Sequence, residues 1–92
     1  PWHQQEEWPS TEIKKQLKAS IQAASEGKIA ESTVLLDEVG PHLGNRTSLV
    51  YSVGRLLIAI GRNREAQRMI DSAVETYPND PEIARAREKL IS

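Results

Sequence analysis

Ninety-two residues and 10.3 kDa amount to one domain or a piece of a longer protein, which excludes a two-domain enzyme. Hydrophobic residues make up 38% and charged residues 27%, so wholesale disorder and collagen-like chains are excluded, and a net charge of −1 leaves no global field toward nucleic acid or anionic membrane. Cysteine is absent, which removes disulfides, zinc knuckles and thiol nucleophiles and leaves the redox compartment undecided.

The chain opens Pro1-Trp2-His3-Gln4, with neither a basic start nor an apolar core of the secretory kind, and the cytoplasm is slightly favoured over other compartments. The longest apolar run, Leu56 to Ile60, is five residues, far short of a bilayer span, so no membrane insertion is expected. Residues 1–10 carry two Trp and two Pro and no regular period, and read as a leader. Helical spacing begins after Pro9: Ser10 or Thr11 is placed to cap a first helix, with Ile13, Leu17, Ile21 and Ala24 on one face and Gly27 at its end. A second helix follows through Ile29, Leu35, Leu36 and Val39 until Gly40-Pro41 stops it. Asn45 is placed to cap a third, with an apolar stripe of Val50, Val53, Leu57 and Ile60, ended by Gly61. Asn63 is the expected cap of a fourth, which buries Ala66, Met69, Ile70, Ala73, Val74 and Tyr77 and closes at Pro78. The strongest helix start is Asp80-Pro81-Glu82: Asp80 caps, Pro81 sits where its missing N–H costs nothing, and Glu82 favours the positive end of the dipole. This fifth helix buries Ile83, Ala86 and Leu90. The sequence therefore predicts an all-α protein of about five helices and no strand.

The informative signal is internal repetition. GKIAESTVLLDEV from Gly27 aligns without gaps to GRNREAQRMIDSA from Gly61, a spacing of 34 that also pairs Glu31 with Glu65 and Asp37 with Asp71. Small Gly54, Ala66 and Ala73, the turn glycine Gly61 and the closing Pro78 complete a pattern that resembles the tetratricopeptide repeat family, best from Thr47 to Asp80. In the first repeat Ser20, Ser32 and Gly27 fill the corresponding small and turn positions, but Gln16 stands where a large apolar residue is usual and Gly40-Pro41 breaks the second helix early. The resemblance implies antiparallel helical hairpins stacked as a short solenoid: a leader at 1–10, a degenerate repeat at 11–46, a second repeat at 47–80 and a capping helix at 81–92. Small residues at helix crossings also suit any antiparallel hairpin, so a generic five-helix bundle is the alternative.

Proteins of that family bind a peptide or helix of another protein in a concave groove lined by the first helix of each hairpin. Carried over, the groove residues here are Lys14, Leu17, Ile21 and Ala24 from the first repeat and Ser48, Tyr51, Arg55 and Ile58 from the second, an apolar strip beside two cations. Leu17 and Ile21 are equally suited to the core. Trp2 and Trp8 are candidate docking aromatics: the leader can fold back into the groove, insert into a second copy to make a homodimer, or belong to a linker of a larger protein. The expected function is thus a non-catalytic interaction module or scaffold. The alternatives are a self-association element and a regulatory appendage of an enzyme whose catalytic part lies elsewhere.

Charge is uneven, with four Lys and seven acids in residues 1–43 against eight basic residues and six acids in 44–92. Arg46, Arg55, Arg62, Arg64 and Arg68 face only Glu65 within 44–68, yet apart from Tyr51 no aromatic interleaves with them, so a base-stacking platform is not expected. Catalysis has little to stand on. His3 and His42 lack metal-ligand spacing, Asp37 and Glu38 are sequence neighbours on different sides of a helix, and no glycine-rich phosphate loop occurs, so neither metal nor cofactor is expected. Asn45-Arg46-Thr47 is a formal glycosylation sequon.

Overall fold

The computed structural model describes residues 2–44 and 47–91, and among these the regular structure is helical with no strand. Two compact units divide the chain, Trp2–Asn45 and Arg46–Ser92. The first holds the leader, α1 (Ser10–Ser25), α2 (Ile29–Val39) and a single 3-10 turn at Gly40–His42. The second holds a 3-10 turn at Thr47–Leu49, then α3 (Val50–Ala59), α4 (Asn63–Thr76) and α5 (Pro81–Ile91). The cap expected at Asn45, its sequon and Arg46 lie outside the described residues. Among the described residues no helix is long and apolar enough to cross a membrane.

Each unit is built on a hairpin, and the two hairpin turns repeat bond for bond. Gly27 takes φ +80° and Gly61 φ +88°, the left-handed conformation that L side chains resist. The N–H of Gly27 reaches the Ala24 carbonyl at 3.1 Å and that of Lys28 the Ala23 carbonyl at 2.9 Å, while Gly61 reaches Ile58 at 3.1 Å and Arg62 reaches Leu57 at 2.8 Å. These 5→2 and 6→1 bonds satisfy carbonyls that the helix end would otherwise orphan, and every participant in the second turn lies 34 residues after its counterpart in the first.

The period persists in the packing. Where α1 crosses α2, Ser20 and Ser32 are both fully buried, and 34 residues later Gly54 and Ala66 are the buried small residues of α3 and α4. Further along, Leu36 of α2 and Ile70 of α4 are both at 0% exposure. The hairpins differ in the length of their second helix: α2 has 11 residues and α4 has 14. Pro41 accounts for the difference, because it lacks the N–H that would bond the Asp37 carbonyl and its ring crowds that same carbonyl. The chain tightens instead, with Leu43 N–H donating to Gly40 O at 3.3 Å.

Four local expectations are corrected. Neither Ser10 nor Thr11 caps α1: Pro9 occupies the cap position, and its carbonyl accepts the N–H groups of Glu12 and Ile13, both at 3.1 Å. Asn63 is likewise the first residue of α4 and not its cap, a place taken by Arg62. On α1 the buried face is Ile13, Leu17, Ser20 and Ala23, rotated from the face expected, so that Ile21 stands 46% exposed and Ala24 half-buried. The expected α2 face is corrected at Ile29, which is 40% exposed, with Ser32 buried beside Leu36 and Val39. By contrast, the start of α5 is as the sequence predicts, Asp80 Oδ1 accepting the Glu82 N–H at 2.9 Å with Pro81 as the first helical residue.

Both α3 and α4 pack against α5, closing the second unit as a three-helix cluster. Gly54 sits where all three meet: a Cβ there would lie 2.8 Å from Leu90 Cδ1, 3.4 Å from Met69 Cε and 3.5 Å from Ile70 Cδ1.

Candidate functional site

The exposed face of α3 is read from its burial period. Val53, Gly54, Leu56 and Leu57 are buried, which leaves Ser48, Tyr51, Arg55 and Ile58 along the opposite stripe at helical spacing. Ser48 and Arg55 are exposed and Ile58 is 38% exposed. Tyr51 is half-buried, and the Lys89 ammonium of α5 lies over its ring at 5.4 Å from the centroid. The phenol is therefore a packing partner of α5 on one side as well as a member of the stripe.

On α1, Lys14, Lys18 and Ile21 stand exposed along one flank of the buried face formed by Ile13, Leu17, Ser20 and Ala23. Leu17 is corrected as a groove residue, since it is 5% exposed and belongs to the core of the first unit. The physical reason lies at the crossing: α1 turns its small Ser20 toward α2, which carries Leu17 inward on the same face and Ile21 outward.

A second surface feature belongs to the second unit by itself. An open depression is lined by Ile58, Asn63, Ala66, Gln67, Ile70 and Leu90, apolar at its base with two side-chain amides on its rim. Its floor is made by the helix faces that meet around Gly54. Of the arginines near it in sequence, Arg62 pairs with Glu65 at 3.4 Å, while Arg55, Arg64 and Arg68 are exposed.

The leader makes the most specific contacts in the first unit. Trp2 lies against Gly40 so closely that a Cβ at that glycine would overlap the indole, and its Nε1–H donates to Asp37 Oδ1 at 3.1 Å. Trp8 stacks on the His42 imidazole with centroids 4.5 Å apart and planes 6° from parallel. Between them, Gln5 N–H donates to Pro41 O at 2.7 Å, Trp8 N–H to His42 O at 3.1 Å, and His42 Nδ1 to Glu6 O at 2.6 Å. Gln4 spans the same turn, giving its amide N–H to Gly40 O at 3.3 Å and accepting the Gly44 N–H at 3.2 Å.

Trp2 and Trp8 thus dock on the end of α2 in their own unit. The spacing of the residues that receive them, Asp37, Gly40, Pro41 and His42, carries no sign of this contact. The available signal was the Gly40-Pro41 break itself: ending a helix early leaves carbonyls without helical donors, and an unpatterned leader with free N–H groups is a ready source.

No protein-family model matches the chain, and no curated protein or solved structure matches it.

Proposed function

We propose that the chain is a non-catalytic protein–protein interaction module built of two tetratricopeptide-like repeats and a terminal helix. In this reading each hairpin offers the outer face of its first helix to a peptide or helix of another protein. The carrying observation is that large apolar side chains stand exposed on those faces beside cations: Ile21 at 46% with Lys14 and Lys18 on α1, and Ile58 at 38% with Arg55 on α3. Such a surface suits an amphipathic partner with apolar anchors and a flanking carboxylate. The 34-residue recurrence of turn and crossing supports the repeat assignment.

The test is selection of a displayed peptide library on the natural chain and on an Ile21→Glu/Ile58→Glu variant. Peptides with apolar anchors and acidic flanks should be enriched on the natural chain and lost on the variant, with helical circular dichroism unchanged. Equal enrichment on both would sink the proposal. Sedimentation at two concentrations decides the self-association alternative, in which mass would rise with concentration in the natural chain and fail to rise in the variant.

A further inference from the structure

The contacts of residues 2–8 have the character of a bound ligand. The segment has no regular secondary structure, bends at Glu6, lies outside every helix, and is held at both ends by an indole and along its middle by main-chain bonds to one turn. The seat is shaped for it in three independent ways. Gly40 has no side chain where the Trp2 ring lies. The carbonyls of Pro41 and His42, which follow the break in α2, accept the segment's N–H groups. The His42 ring offers a flat face to Trp8 and a donor to Glu6 O.

We infer that the turn 37–44 is a peptide site specific for a non-helical segment bearing two indoles six residues apart, and that the same segment of a second copy can occupy it. The argument for that occupant is identity. The sequence seen to fit the seat is the chain's own, and every second copy carries it. The covalent link of the segment to α1 is Pro9, whose carbonyl accepts the Glu12 and Ile13 N–H groups, so a segment that pivots before Pro9 forms the same bonds in the partner's seat as it forms at home. The resident segment competes with the incoming one at an effective concentration on the order of millimolar, so exchange belongs to high local concentration or to a released leader.

Trp2 and Trp8 are the chain's two tryptophans, which makes the test direct. Full chains carrying Trp2→Ala/Trp8→Ala or Trp2→Phe/Trp8→Phe emit no tryptophan fluorescence, and each is titrated with the capped peptide WHQQEEW. A saturable blue shift is expected for both. Binding to the alanine chain should be tighter by about tenfold, because the phenylalanine leader still fills its own seat for most of the time. Adding Gly40→Leu to either chain should abolish the shift.

The natural chain at about 1 mM should sediment with mass above the monomer, and its Gly40→Leu variant should not. The inference is overturned by no saturable shift up to about 1 mM peptide on a helical chain, by equal affinity of the two chains, or by a natural chain that stays monomeric at that concentration. Should the alanine chain lose its helical circular dichroism, the phenylalanine chain with and without Gly40→Leu decides: retained binding with leucine overturns the site.

Discussion

At the crossing of α1 and α2, each serine hydroxyl donates to the backbone carbonyl of the other serine at 2.8 Å, with the two Oγ atoms 3.0 Å apart. Four polar atoms are satisfied among themselves at 0% exposure, where the other hairpin places Gly54 and Ala66. Removing one hydroxyl leaves a bond unmade, so Ser20→Ala or Ser32→Ala should each cost about 1 kcal/mol. The double variant should cost less than the sum, because it recreates the apolar crossing of the second hairpin; denaturant midpoints of the three variants check this. Gly54 divides differently. Gly54→Ala gains about 1 kcal/mol of helix propensity, which offsets crowding against the movable tip of Leu90 and leaves stability nearly unchanged. Gly54→Leu has no such room and should cost about 3 kcal/mol in the same assay. Small residues at both crossings were legible from the repeat. The outward swing of Ile21 was not, because Ile21 and Ser20 are neighbours and only the approach of α2 decides which of the two the crossing admits.

At the scale of elements, the clearest features in the sequence were the ends. Gly27, Gly61 and Asp80 each meet a backbone requirement that few other residues meet, so the amino acid alone locates the turn or cap. Nothing lies within 4 Å of a Cβ at Gly27 or Gly61, so alanine there is strained by φ alone. Gly27→Ala and Gly61→Ala should therefore each destabilise by about 1 to 2 kcal/mol, and by equal amounts within error. Asp80→Ala should cost about 1 kcal/mol by freeing the Glu82 N–H, read as loss of helicity or as a shift of the denaturation midpoint. Ser10 and Asn63 misled because a capping residue type is common near any helix start, whereas the position it takes depends on where the preceding chain enters. Pro9 and Arg62 entered one residue sooner than the side chains suggested.

For the whole molecule, the helical content and its division into hairpins could be read from periodicity, but the docking of the leader could not. Trp2 meets Asp37 and Gly40 across more than thirty residues of chain, and no local pattern in PWHQQEEWPS announces that contact. The docking separates two spectroscopic signals. Both tryptophans report the leader, while the far-ultraviolet dichroism reports the helices. Because the leader is held by half-buried rings and a few bonds at the surface, it should release before the helices melt. In a urea titration the emission change is then expected at lower denaturant than the loss of dichroism; coincident transitions would mean that leader and helices melt as one unit. The twin hairpin turns also bear on how a chain like this can change length. Because Gly27-Lys28 and Gly61-Arg62 occupy equivalent places in the same bonded turn, a recombination that joins Gly27 directly to Arg62 deletes a 34-residue cassette without altering the junction's backbone. The reverse event inserts a copy as cleanly. A version of this chain one hairpin shorter or longer would thus lie a single in-frame step away, with a glycine at the seam.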